Sequence, residues 1–279
     1  MNQIAKGVRF LKRISSYALP EKIHLKLQSE CIYIAFKANA RLRDNPLKYM
    51  KISEGNVCID VGANLGLYTR VFLERVGKAG RVISFEPMSH NYEILCGLHR
   101  RSRALTIVRM GLGDRCKKTF FVTPYENDVL VTGLTHSSSS MEESLNYLRK
   151  FYPCSPSFKV LINEAELITL DSYISKSPVS HVSWIKIDVE GGEYKVLLGA
   201  ETILRMFKPN VLCEIFEENG VAIRDFLSQL DYQMWRFNEK SVTQIIDSQF
   251  IEDGDYFFVP QGRDISTVVV TDRTERKTP

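Results

Sequence analysis

The residues of this sequence best suited to chemistry are carboxylates set beside glycines. The first group is Asp60-Val61-Gly62-Ala63-Asn64-Leu65-Gly66, directly after the apolar run Val57 to Val61 and directly before a stretch with helical spacing. Glycines at such a turn let the backbone bend sharply and approach a ligand without a Cβ in the way. The helix that follows offers unpaired N–H groups and a positive dipole end. Dinucleotide sites use G-x-G-x-x-G, whereas this loop reads G-x-N-x-G and opens with Asp60. A carboxylate there repels a pyrophosphate and suits an amine-bearing or cationic ligand. S-adenosylmethionine (SAM) has an amine, a carboxylate and a sulfonium, and no phosphate.

Three further turns add to this. Glu86 closes a second apolar run, Arg81 to Phe85, and is followed by Pro87. A carboxylate can accept both hydroxyl hydrogens of a ribose diol, a use shared by SAM and NAD sites. Gly111-Leu112-Gly113-Asp114 follows a third run. Asp114 is a candidate acceptor for an adenine amino group, or a plain turn residue. Lys186-Ile187-Asp188-Val189-Glu190-Gly191-Gly192-Glu193 follows a fourth run and crowds three carboxylates and a lysine together. Asp188 and Glu190 alternate and would face opposite ways on a strand, but the turn into Gly191-Gly192 can bring both to one site. Glu193 reads as first-turn helix support, and Lys186 as the partner of a carboxylate. Glu214, at the end of a fifth run, adds one more.

The elements that must hold these turns alternate. Apolar runs at 57–61, 81–85, 105–110, 182–187 and 211–215 are separated by stretches of helical spacing, among them Leu67 to Val76 and one helix carrying Val196, Leu197, Ala200, Leu204 and Phe207. Residues 220–230 read as helix, and closing strands are expected at 232–237 and 255–259. Strands alternating with helices imply a parallel sheet covered on both faces, and near-continuous apolar strands agree. The expected fold is α/β: a mostly parallel, seven-stranded, Rossmann-like sheet with helices on both faces. Residues 1–50 read as a basic helical segment in two helices, and 51–270 as the ligand-binding domain. An insertion at 115–181 would cover the ligand face; it holds strand-like pieces at 119–122 and 159–162, a serine run from Ser137 to Ser140 and a helix at 141–150. Residues 271–279 read as a flexible tail.

Composition is that of a soluble globular chain: 279 residues, 44% apolar, 25% charged, net charge +4. No apolar run is long enough to span a bilayer, and no secretory signal is expected, so the expected location is cytoplasmic. The six cysteines show no C-x-x-C spacing and read as reduced thiols, not a disulfide framework or zinc site. Charge is uneven. Residues 1–50 carry ten Lys/Arg against three Asp/Glu, a net +7, and the rest totals −3. That segment reads either as a solvated face packed on the domain or as a peripheral contact with an anionic surface.

Asp60 to Gly66, Phe85-Glu86-Pro87, Thr169-Leu170-Asp171-Ser172-Tyr173 and above all Lys186-Ile187-Asp188-Val189-Glu190-Gly191 resemble the FkbM family of SAM-dependent methyltransferases. The resemblance covers roughly 57–216 and leaves the leading helices outside it. It implies the class I methyltransferase sheet with a reversed last strand, and O-methylation of a hydroxyl on a sugar, glycan component or natural product. It also implies SAM contacts from Asp60, Gly62, Asn64 and Gly66, and a ribose contact from Glu86. The full candidate cofactor set adds Ala63 and Tyr68 beside the loop, Pro87, Gly113 with Asp114, and Asp188.

An alcohol oxygen needs its proton removed as it attacks. Asp188 is the first candidate base, with Glu190 and His136 behind it. A divalent cation such as Mg2+ is a second use of the same carboxylates, although the sequence fixes no metal ligand set. Partners are then a small-molecule or glycan acceptor and a second copy in a homo-oligomer, with no nucleic acid expected. The competing readings are a nucleic-acid or protein methyltransferase, a SAM-binding module without turnover, and an NAD-dependent oxidoreductase, which the G-x-N-x-G loop disfavours.

Overall fold

The computed structural model describes residues 20–38, 45–98, 102–126, 129–138, 140–151, 159–177, 179–238, 241–246 and 251–270. The helix expected over Ile4–Ile14, the tail at 271–279 and Cys154 lie outside the described residues. The main sheet is built from β1 (Val57–Val61), β2 (Arg81–Phe85), β3 (Leu105–Val108), β9 (Trp184–Ile187), β10 (Asn210–Ile215), β11 (Tyr232–Asn238), β12 (Ser241–Ile245) and β13 (Gly254–Pro260). Between them come β4 (Gly111–Leu112), β5 (Lys117–Glu126), β6 (Val129–Leu130), β7 (His136–Ser138) and β8 (Val160–Ile168). The helices are α1 (Glu21–Lys37), α2 (Leu67–Val76), α3 (Ser89–Leu98), α4 (Met141–Phe151), α5 (Leu170–Ile174), α6 (Glu193–Leu198), α7 (Glu201–Phe207) and α8 (Glu217–Gln229).

The main sheet runs in the order β12-β11-β13-β10-β9-β1-β2-β3. Its five central and leading strands, β3-β2-β1-β9-β10, are parallel, while β13, β11 and β12 are antiparallel to their neighbours. The expected seven-stranded sheet is therefore an eight-stranded mixed one. The extra strand is β12, which hairpins onto β11 at the edge. Its residues Ser-Val-Thr-Gln-Ile are exposed or half-buried along the whole strand, so no apolar run marks it in the sequence.

Every residue of β1 is buried, as expected for a strand covered on both faces. Ile59, Val61, Ile185, Ile187 and Val211 face one layer, where α6, α7 and α8 contribute Val196, Leu204 and Ile223. Cys58, Val82, Trp184 and Leu212 face the other, against Val71, Phe72 and Val76 of α2. The single helix expected after β9 is two: α6 stops at Leu198 and α7 begins at Glu201. Asp171 makes the break, accepting from the backbone N–H of Thr202 at 2.9 Å and Ile203 at 3.0 Å. A carboxylate there satisfies the unpaired N–H groups of a helix start, so the Asp of the Thr169–Tyr173 motif does structural work. Tyr173 of that motif packs edge-on against Phe85, ring centroids 5.0 Å apart.

The insertion builds a sheet of its own, in the order β4-β8-β5-β6, with β7 paired to β5. It begins at Gly111, earlier than the expected 115. Of the leading segment, α1 lies across α2 and α3. Its Leu25 packs with Leu65 and Ile94, and the Ser29 hydroxyl donates to the Leu65 carbonyl at 2.7 Å. The five described cysteines, Cys31, Cys58, Cys96, Cys116 and Cys213, are free thiols. Among the described residues, no helix is long and apolar enough to cross a membrane.

Candidate cofactor and acceptor site

The strand order reverses at β1 and β9, and in open α/β sheets such a switch point opens a crevice at the carboxyl ends of the strands. Asp60, Glu86 and Asp188 stand there. The loop after β1 folds back on itself. The N–H groups of Gly62 and Ala63 both donate to the Phe85 carbonyl at 3.1 Å, and that of Gly66 to the Ala63 carbonyl at 2.8 Å. The Asn64 N–H donates to Glu86 Oε2 at 2.7 Å. Gly62 has φ 75°, and a Cβ on it would lie 1.9 Å from the Asp188 carbonyl oxygen; the loop can cross the end of β9 only with glycine there. Gly66 has φ 85°, and a Cβ would meet Leu95 at 2.5 Å.

Under the loop lies a buried charge network. Asp60 is fully buried, and Thr69 donates to its Oδ2 at 2.6 Å while lying 2.8 Å from the Ser84 hydroxyl. The Lys186 ammonium sits 3.6 Å from Asp60 Oδ1 and 3.3 Å from Asp188 Oδ2. It also donates to the Gly62 carbonyl at 3.0 Å and lies 5.0 Å from the centre of the Tyr68 ring. Burial raises the Asp60 carboxyl above its ordinary range, and Lys186 opposes that shift. Burial also works against the charge on Lys186, yet Asp188 and Asp60 together hold its ammonium above its usual value. A buried ion pair stands only when such hydrogen bonds complete it.

Glu86 is buried, and its oxygens each accept one backbone N–H, from Asn64 and from Met88 at 2.9 Å. Burial pushes it up to about 7 against the pull of those two bonds. Each oxygen keeps a lone pair for a further donor. Glu193, expected to serve the helix dipole, turns its carboxylate back on its own loop. Its Oε1 accepts from Val189 N–H at 3.0 Å and Gly191 N–H at 3.1 Å, which fixes the turn that carries Asp188 and Glu190. Glu190 itself has φ 57°, a left-handed conformation that costs a non-glycine residue about 1–3 kcal/mol and recurs at functional sites.

A cavity of about 110 Å³ opens above this edge, lined by Gly62, Asn64, Glu86, Pro87, Asp188 and Glu190 from the main sheet. Phe121, Thr132, Gly133 and Thr135 of the insertion close its far side, and Asn91 of α3 joins them. A wider cleft adjoins it at Glu190, with His136, Glu142, Glu143, Glu218 and Asp253 on its walls. Among the sequence candidates, Gly62, Asn64, Glu86, Pro87, Asp188 and Glu190 thus share one cavity. Ala63 and Gly66 shape the loop from within, and Asp60 and Tyr68 flank it at the end of β1 and in α2. His136 is buried in the wall of the adjoining cleft, where burial lowers its imidazole below the usual value, opposed by the Leu134 carbonyl. Gly113 and Asp114 do not line the cavity. The Gly113 carbonyl lies against Gly199, and Asp114 stands 3.7 Å from Arg115.

Sequence reasoning missed Asn91, Phe121, Thr132, Gly133 and Thr135. Thr132 to Thr135 carries turn-forming residues, a signal for a loop but not for the face it closes. Among the described residues, no group of three or more His, Cys, Asp or Glu is arranged to hold a metal ion. Lys186 supplies the cation between Asp60 and Asp188.

Fold and site together define a doubly wound α/β protein with a ligand turn at its switch point. The chain belongs to the FkbM methyltransferase family, since the model of the methyltransferase FkbM domain matches residues 60–234. Among solved structures it is similar to the methyltransferase FkbM from Methylobacillus flagellatus KT. That match has 14% identity and a TM-score of 0.44, and covers 89% of this chain and 58% of that one. The chain therefore spans just under three fifths of that relative's length. It is also similar to the Aeropyrum pernix fibrillarin solved with natively bound SAM, at 13% identity and TM-score 0.39, covering 80% and 74%. A SAM-dependent O-methyltransferase from Thermotoga maritima matches at 10% identity and TM-score 0.36, covering 76% and 62%. No curated protein matches the sequence.

Proposed function

We propose that this chain is a class I, SAM-dependent methyltransferase that methylates a hydroxyl of a small molecule, sugar or glycan component. The observation that carries this reading is the state of the loop after β1. The N–H groups of Gly62, Ala63, Asn64 and Gly66 are all engaged inside the protein, so the donors a diphosphate would need are spent. The carboxylates Asp60, Glu86, Asp188 and Glu190 outnumber the one ammonium of Lys186. A ligand with a sulfonium, an ammonium and a ribose diol fits such an edge, and a dinucleotide does not.

Gly62 would give the amino-acid end of SAM room to approach and the Asn64 side chain would contact it, with Glu86 at its ribose hydroxyls. When bound, SAM supplies an electrophilic methyl on a sulfonium. Asp188 is engaged by Lys186, which makes it an orienting and charge-balancing group. Glu190 borders both the cofactor cavity and the wider cleft, so it is the carboxylate best placed to take the acceptor's hydroxyl proton. His136 would shape the acceptor cleft. Its walls carry Glu142, Glu143, Glu190, Glu218 and Asp253 against the ammonium of Lys195, a balance that repels a polyanion and favours a polyhydroxyl acceptor over nucleic acid.

Calorimetry is expected to give micromolar affinity for S-adenosylhomocysteine, roughly −8 kcal/mol, and no heat with NAD. Tight NAD binding by folded protein would end this reading. Glu190→Gln is expected to lower kcat by about 10²–10⁴-fold with cofactor affinity kept. An unchanged kcat would remove Glu190 as the base.

A further inference from the structure

Among the described residues, no element covers the outer line of α1. Ile23, Leu27 and Ile34 are 46%, 45% and 62% exposed, and their spacing places them along one side of the helix. The opposite side is spent on the domain, through Leu25, Ser29 and Phe36. Lys22, Lys26 and Lys37 lie along one edge of the aliphatic line. Lys22 and Lys37 reach Glu93 and Glu74 at 2.7 and 2.9 Å in exposed pairs, and such pairs are weak enough for another anion to displace. Of the acids on the helix, Glu30 is engaged by Arg70 at 3.1 Å, and Glu21 accepts from the Tyr125 hydroxyl at 3.3 Å. The sequence leading into the helix, residues 1–19, contains Lys6, Arg9, Lys12 and Arg13 and no Asp or Glu.

We propose that this face of α1 docks the protein on an anionic lipid surface. Aliphatic side chains beside a row of lysines are the pattern of a helix lying in the interface plane, its apolar line in the headgroup boundary and its ammonium groups at the phosphates. A stable protein partner needs about 800 Å² per side around a packed apolar centre, and three aliphatic side chains beside a row of lysines do not supply that. Docking there would set the membrane one helix away from the cofactor loop, because the inner side of the same helix holds Leu65.

The test uses the full chain and sedimentation with vesicles of phosphatidylcholine, with and without phosphatidylserine. Binding is expected on the phosphatidylserine vesicles, falling roughly tenfold or more on the neutral ones and at high salt. The neutral triple variant Ile23→Ser, Leu27→Ser, Ile34→Ser is expected to lose roughly tenfold in vesicle affinity while its circular dichroism stays native. The proposal is overturned if the native protein stays in the supernatant with both vesicles, or if the triple variant binds as the native chain does. It is equally overturned if light scattering finds a native dimer that the variant turns into a monomer, because a second copy then covers the face.

Discussion

The cavity at the switch point has two walls of different construction. The main-sheet wall is a connected polar network: Thr69, Asp60, Lys186 and Asp188 in one chain, Glu86 and Asn64 in another, each group with a named partner. The insertion wall offers Phe121, Thr132, Gly133 and Thr135, with a 2.8 Å contact between the hydroxyls of Thr123 and Thr135. One wall fixes charge and orientation; the other fixes shape. A wall that holds charge by burial loses much when one member goes, and a wall of shape loses little.

Removing Lys186 should produce the largest effect. Lys186→Met leaves Asp60 buried and unpaired, and urea unfolding is expected to show a loss of about 3–5 kcal/mol. A loss below about 1 kcal/mol would mean that the two walls do not differ in this way. Glu86 comes next. Its carboxyl is pushed up to about 7, and only the anion accepts two ribose hydroxyls. Cofactor affinity should therefore rise with pH through about 7 and level off above it. Glu86→Gln should lower affinity about tenfold, roughly 1.4 kcal/mol, and flatten that profile. The stability sign is opposite. The folded state keeps a proton that the unfolded chain has lost, so this group costs stability as pH climbs from its ordinary 4.5 to about 7, and the Gln variant removes that slope. The smallest effect belongs to the second wall. Thr135→Val leaves the Thr123 hydroxyl without its partner, at a cost of about 1–2 kcal/mol, and should leave cofactor affinity within a few-fold by calorimetry. A large affinity loss there would show that the insertion grips the cofactor as firmly as the sheet does.

Acids also pair across strands within the main sheet. Glu214 stands opposite Asp255 in the β10–β13 register. Burial, then Asp188 and Asp255, push Glu214 up to about 9, and burial and Asp188 push Asp255 up to about 6. Like charges in register destabilise a sheet, and the pair stands because Glu214 keeps its proton at neutral pH.

Residues 57–61, 81–85 and 184–187 are legible as strands because burial on both faces demands apolar residues in a row. The turn after β1 is legible because a left-handed loop crossing the end of β9 needs Gly62. What tertiary structure alone decided is everything that depends on distant partners. β12 is an edge strand with no apolar run to mark it. The helix expected after β9 breaks because Asp171, thirty residues earlier, caps its second half. Asp114 follows a glycine-rich turn much like that of Asp60, yet β4 pairs with β8 and leads it away from the cavity. Asp188, the first candidate base by sequence, has the Lys186 ammonium 3.3 Å away, and only the packed strands show that contact. Residue types fix what a turn can do chemically; packing between segments far apart in the chain fixes which turns meet.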